Sequence, residues 1–167
     1  MSFKEIPVEA LRDNMVTLIS DEWMLISAGN ADGYNMMTAS WGYMGEMWGK
    51  HCAVCGIRPQ RYTREFMDRA DYYTLSFFGQ DKAVHAVCGK QSGREVDKAA
   101  ATGLVPVFAD RSVYFEQARL VLVCKKLYVQ DLDEACFVDS SLLDRWYPEK
   151  DYHRMYTGEI VKVLINE

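Results

Sequence analysis

The sequence has no window long and apolar enough to cross a membrane as a helix. Its first residues, Met1-Ser2-Phe3-Lys4-Glu5, hold no basic run leading into an apolar segment. No export signal is therefore visible, and a cytoplasmic location without membrane attachment is expected. No basic stripe is present either. The 24 Asp and Glu against 19 Lys and Arg give a net charge of −5, which argues against nucleic-acid binding. Neither GxGxxG nor GxxxxGK followed by Ser or Thr occurs, so neither dinucleotide nor P-loop binding is signalled. Cysteine is too irregular for a disulfide framework: the five residues are an odd number, and reduced thiols are expected. Cys52-Ala-Val-Cys55 has a CxxC spacing. It lies in a stretch that reads as a strand, where positions i and i+3 face opposite ways, and no second pair completes four metal ligands. No metal site is expected.

What is present is ordinary globular material. Apolar residues make up 49% of the chain and charged residues 26%, and 167 residues suffice for one domain spanning 1–167 with a substantial core. The chain is organised around Gly29 to Trp41. Asp32-Gly33 is expected to supply the positive-φ residue of a hairpin between Trp23–Ala28 and Tyr34–Trp41. On the second strand Met36, Thr38 and Ser40 share one face, and Asn35, Met37, Ala39 and Trp41 the other. Two in-line hydroxyls flanked by an amide and an indole suit a flat aromatic ligand with a phosphate tail. A half-exposed strand whose hydroxyls face water would read the same.

Further strands are expected at 14–20, 51–57, 71–79, within 113–131, at 135–138 and at 156–165. Helices are expected at 62–70, 81–88, from about 95 to 102, and at 140–146. Gly42 to Lys50, rich in Gly, Met and Trp, reads as a loop able to lie over a ligand. Strands and helices do not alternate as in a parallel doubly wound sheet, so the fold class is mainly β, a small barrel with inserted helices.

Three more polar clusters stand out. Arg58-Pro-Gln-Arg61-Tyr62-Thr63 lies where a strand gives way to a helix. Either arginine suits bidentate phosphate binding there, and Thr63 serves equally as a donor or as a cap. Ser92-Gly93-Arg94 to Asp97-Lys98 offers close backbone approach and a point charge, or a plain charged loop. Tyr152-His153-Arg154 carries an imidazole for proton delivery or ring contact, or a structural one.

Asn35-Met-Met-Thr38-Ala39-Ser40-Trp41, Ile57-Arg58-Pro59-x-Arg61-Tyr62-Thr63, Phe77-Phe78 and Cys88-Gly89-x-x-Ser92-Gly93-Arg94-x-x-Asp97-Lys98, in this order, resemble the flavin reductase-like, flavoredoxin-type FMN-binding proteins. The resemblance spans about residues 14 to 165. It implies a split β-barrel homodimer with FMN near the subunit interface. It places Asn35, Met36, Met37, Thr38, Ala39, Ser40 and Trp41 along the flavin. Arg58, Arg61, Tyr62 and Thr63 would stand on the phosphate side, closed by Ser92, Gly93 and Lys98. His153 would face the flavin or nicotinamide as the catalytic residue, although Arg154-Met-Tyr-Thr departs from the commoner apolar spacing before Gly158. The implied activity is an NAD(P)H-dependent flavin reductase, with hydride passing from NADH or NADPH to flavin N5. The alternatives are a flavoredoxin-type FMN electron carrier, reduced by a redox-protein donor and lacking a nicotinamide site, and a module that only stores or senses FMN.

Overall fold

A computed structural model describes residues 2–166. Its strands are β1 (Phe3–Ile6), β2 (Met24–Asn30), β3 (Gly33–Ala39), β4 (Gly42–Met47), β5 (Lys50–Ile57), β6 (Tyr72–Phe77), β7 (Pro106–Ala109), β8 (Ser112–Phe115), β9 (Leu120–Asp131) and β10 (Arg154–Asn166). Its helices are α1 (Met15–Thr17), α2 (Thr63–Arg69), α3 (Ala83–Cys88), α4 (Lys98–Thr102) and α5 (Ser141–Trp146). Eight strands form one antiparallel sheet in the order β3-β2-β6-β9-β10-β5-β4, with β1 added to β10, and β7 and β8 form a separate hairpin. The fold is a strand-rich split barrel, as the sequence implies.

Strand alternation builds the barrel. Met24, Ile26 and Ala28 of β2 and Met37 of β3 join the interior with Tyr73, Leu75, Phe77, Leu122 and Tyr156. Leu25 and Met36 face the other way, onto Val84 and Cys88 of α3 and Ala99 of α4. Both faces of the β2–β3 hairpin are covered, so its apolar run is nearly continuous. The central strand β10 pairs with β5 and β9 through its first half and with β9 and β1 through its second. Gly158, at a register shift in β10, admits the Tyr73 hydroxyl: a Cβ there would stand 2.5 Å from it. Tyr73 in turn donates to the Ala53 carbonyl at 3.2 Å, tying β6 to β5 across the barrel.

Several local expectations are corrected. Residues 14–20 are not a strand. The Asn14 side chain accepts from Val16 and Thr17 N–H and starts α1, which continues as a π-helical turn over Leu18–Glu22. Burial of Leu18 and Ile19 then outweighs their β preference. The left-handed residue of the β2–β3 hairpin is Gly29 (φ 118°), not one within Asp32-Gly33. Gly42 to Lys50 is no loop. It contains β4, paired with β5 from Gly42↔Cys55 to Met47↔Lys50 and turned by Trp48 and Gly49, both left-handed. The stretch 135–138 does not rejoin the sheet but begins within a 3-10 turn at Glu134–Cys136. Helix α4 starts at Lys98, capped by the Asp97 side chain, rather than at 95. Strand β7 went unanticipated.

Candidate functional site

Strand β3, the crossover after β5 and the segment before β10 meet at one end of the barrel. Met37, Thr38, Ala39, Ser40 and Trp41 form one wall of a cleft of about 200 Å³, with Gly56, Arg58, Arg61, Trp146 and His153 around it. Gly56 is required here, because a Cβ would stand 3.2 Å from the His153 ring and 2.9 Å from Met155 Sδ. Trp41 packs edge-on against Trp146, centroids 4.9 Å apart, and lies 5.1 Å from the His153 ring. The upper cleft is thus walled by aromatic rings and two small hydroxyls.

Arg61 leads from this cleft into a second chamber of about 150 Å³. It is lined by Gln60, Arg61, Tyr62, Thr63, Gly89, Lys90, Gln91, Ser92 and Lys98. Lys98 is 4% exposed, yet its ammonium donates only to carbonyls, of Met36 at 2.8 Å and Cys88 at 3.3 Å. Arg61 donates to the Cys88 and Gly89 carbonyls at 3.1 and 3.3 Å. Neither cation forms an ion pair among the described residues. Burial pushes the Lys98 pKa down to about 8 and lowers that of Arg61 as well. Two half-desolvated cations without a carboxylate are a costly arrangement that a bound anion would offset. The chamber therefore fits a phosphate, and the cleft above it fits a flat ring.

The remaining candidates divide. Ser92 lines the phosphate-sized chamber. Asn35 is buried and donates to the Thr63 hydroxyl at 2.9 Å. Gly93 is there for Asn35, since a Cβ would overlap its Oδ1. Asn35, Met36 and Gly93 are not on the walls of these two chambers but, with Lys98, line a separate depression of about 500 Å³, and Met36 contributes its carbonyl to Lys98. Arg58 borders the cleft, but its charge is engaged by Asp151 at 2.7 Å, and it donates to the Trp146 carbonyl and stacks on Tyr147. At the start of α2 the N–H groups of Arg61, Arg64 and Glu65 are taken by the carbonyls of Arg58, Arg61 and Tyr62. The N–H groups of Tyr62 and Thr63, which line the chamber, are not taken in this way. His153 Nδ1 is 2.7 Å from the Tyr147 hydroxyl. Burial and then the Arg58 charge push its pKa down to about 4, so it is a neutral imidazole at neutral pH and contacts a ring more readily than it supplies a proton. His85, Gly56, Gly89 and Trp146 were not among the sequence candidates. His85 Nδ1 is 2.9 Å from the Thr38 hydroxyl.

A larger depression, about 600 Å³, lies around Gly29, Asn30, Phe66, Arg69 and Tyr72. Its Arg111 is exposed and already paired with Asp71, so it lacks the buried charge that marks the other site.

The sequence model of the flavin reductase like domain matches residues 16–167. The chain belongs to this family. Solved structures share the fold. An FMN-binding domain of a flavin reductases-like enzyme from Shewanella baltica superposes with a TM-score of 0.69 at 13% identity, covering 98% of this chain and 77% of that one. Flavoredoxin from Methanosarcina acetivorans gives 0.67 at 17%, covering 97% and 74%. An FMN-binding protein from Thermus thermophilus, solved with p-hydroxybenzaldehyde, gives 0.66 at 22%, covering 98% and 82%. No curated protein matches the sequence significantly. Among the described residues no helix is long and apolar enough to cross a membrane.

Proposed function

We propose that the chain is an FMN-dependent oxidoreductase that takes electrons from NADH or NADPH and passes them to flavin or a small acceptor. The observation that carries this reading is the carboxylate-free pair of buried Lys98 and half-buried Arg61 at the foot of an aromatic cleft. Lys98, Arg61, Thr63 and Ser92 would hold the phosphate. Thr38, Ala39, Ser40 and Trp41 would orient the ring, with Met37 behind it. When bound, FMN supplies a ring that accepts hydride and hands electrons on, and the protein supplies position and electrostatics. His153, neutral and tilted against Trp41, would contact the ring or the donor. The β4 face, with Tyr43, Met47 and Trp48 exposed, would pair with a second copy of the chain.

A flavoredoxin-type carrier is the second reading. Trp146 and Trp41 narrow the cleft mouth, which leaves little room for a nicotinamide above a flavin. The separating experiment is an absorbance spectrum of the purified protein followed by anaerobic NADH or NADPH. Flavin bands that bleach support the reductase. Bands that persist until photoreduction or a protein donor is supplied support the carrier. A colourless protein that fails to take up FMN overturns both.

A further inference from the structure

Behind the cleft wall stands a histidine that the flavin reading leaves without a task. His85 is 3% exposed on α3, beneath β3. Its Nδ1 is 2.9 Å from the Thr38 hydroxyl, and Thr38 lines the cleft. Its Nε2 is sealed from solvent and has no hydrogen-bond partner among the described residues. The rings of Trp23 and Phe78 flank it, centroids 5.8 and 6.0 Å away. The Trp23 N–H is itself engaged by the Ser20 carbonyl.

At neutral pH this ring carries a single proton. It is buried, and the Lys82 ammonium beside it further disfavours imidazolium; together they push its pKa down to about 4. The proton sits on one nitrogen or the other. On Nε2 it would be a buried N–H with no hydrogen-bond acceptor among the described residues. Leaving a buried donor unpaired costs about 1–3 kcal/mol, and orphan N–H groups are rarer in folded proteins than under-used acceptors. On Nδ1 the proton has the Thr38 oxygen in range, and only a lone pair is left idle at Nε2. A hydroxyl that accepts from Nδ1–H cannot return its own proton to that nitrogen. It must point the proton elsewhere, and the open side of Thr38 is the cleft.

We propose that His85, fixed as the Nδ1–H tautomer, is a positioning residue that turns the Thr38 hydroxyl proton into the cleft, where it donates to an acceptor atom of the bound flavin. The final donation rests on the FMN reading above; the tautomer does not. His85 itself touches no ligand. It converts an ambivalent hydroxyl into a committed donor, so the cleft wall favours a ring that presents an acceptor there.

The first test uses wild-type protein without flavin, labelled with nitrogen-15 histidine, and correlates ring nitrogens with ring protons at neutral pH. The expected result is His85 with a protonated Nδ1 and a bare Nε2. The opposite tautomer, or a doubly protonated ring, overturns the proposal. The second test titrates FMN, by quenching of its fluorescence, into His85→Leu, Thr38→Val, the double variant and His85→Asn. Loss of one hydrogen bond predicts an affinity about tenfold weaker for each single variant. The double variant should be no weaker than either, because the two residues act through one bond. His85→Asn, which keeps an N–H near the position of Nδ1, should recover most of the loss. Additive losses, or His85→Asn as weak as His85→Leu, count against positioning. Wild-type protein that takes up no FMN overturns the flavin reading and with it the final donation, while the histidine spectrum still decides the tautomer.

Discussion

The Lys98 ammonium donates to the Met36 carbonyl at 2.8 Å, fastening the first residue of α4 to β3, which carries Thr38 and leads into Ser40 and Trp41. The same ammonium shares the Cys88 carbonyl with Arg61. Two cations thus converge on one dipole, and no carboxylate relieves them. Neutral acceptors only partly compensate a desolvated ammonium. Lys98→Met should therefore remove a phosphate partner while leaving the fold in place. A hydrogen bond to a charged group contributes about 1.5–3 kcal/mol, so FMN affinity should fall roughly ten- to a hundredfold. The flavin-free protein should melt within a few degrees of wild type. Thr63→Ala should follow with a smaller loss, because a neutral hydroxyl donor contributes less than a charged ammonium. Unchanged FMN affinity in both variants would remove the phosphate from this chamber.

The same ammonium predicts two pH slopes of opposite sign. Burial holds the Lys98 pKa at about 8, against 10.5 for a free lysine. Between these values the unfolded chain keeps a proton that the folded chain has released. The contribution of this group to the stability of flavin-free protein therefore rises with pH from about 8 to 10.5. Phosphate favours the charged ammonium, so FMN affinity should fall over that same window. Denaturation and FMN titrations from neutral pH to about pH 10 measure both slopes. Lys98→Met should flatten each. An FMN affinity that is level in wild type across the window would place the phosphate away from Lys98.

Gly93 gives a prediction about the scaffold. A Cβ at this position would overlap Asn35 Oδ1, and Asn35 is the residue that holds the Thr63 hydroxyl. Gly93→Ala should destabilise the protein by about 1–3 kcal/mol, the usual cost of overpacking. It should also weaken FMN binding through Thr63. A denaturant midpoint equal to wild type would mean that the loop 89–97 yields at no cost.

The β2–β3 hairpin, β5, β6, β9 and β10 were legible from their apolar pattern, a nearly continuous run where both faces are buried and alternation where one is. Residues 14–20 misled because Val16, Thr17 and Ile19 favour strands, while the outcome turned on the Asn14 cap and on burial under the barrel. Strand β4 carried no alternation to read. It is extended because β5 offers a free edge and because Trp48-Gly49 accepts a left-handed turn. In the site, Thr38 to Trp41, Arg61 and Lys98 could be named from motif order. His85, Gly56 and Trp146 could not, since their importance comes from tertiary closure around β3. The engagement of Arg58 by Asp151 is likewise a product of folding and has no local signal.

That engagement separates the two arginines experimentally. Arg58 is tied to Asp151, the Trp146 carbonyl and the Tyr147 ring, all in the segment that roofs the cleft. Arg61 faces the phosphate-sized chamber. Arg61→Met should weaken FMN binding about tenfold or more, as loss of a charge-assisted bond does. Arg58→Met should leave FMN affinity within about threefold, a few tenths of a kcal/mol, while altering tryptophan fluorescence and the rate of NAD(P)H bleaching. Equal losses of FMN affinity in both variants would mean that Arg58 leaves Asp151 to bind phosphate.

The last prediction concerns the face opposite the β4 core side. Met44 packs against the barrel, and the alternate positions Tyr43 and Met47 point outward, 61% and 51% exposed. Trp48 at the turn is 59% exposed and reaches Tyr128 of β9, centroids 6.1 Å apart, and Leu127 and Val129 beside it are also exposed. β4 is moreover an edge of the sheet, with an unpaired ladder. Apolar rings joined across two strands at an open edge suit association, and the proposed second copy of the chain would cover them. Light scattering should give twice the 19.2 kDa chain mass. The double variant Tyr43→Glu and Trp48→Glu should run as a monomer and stay folded, because neither ring belongs to the core. Its FMN affinity then reports whether the neighbouring copy completes the site: a loss in the folded monomer means that it does. A wild-type mass of one chain would overturn the pairing.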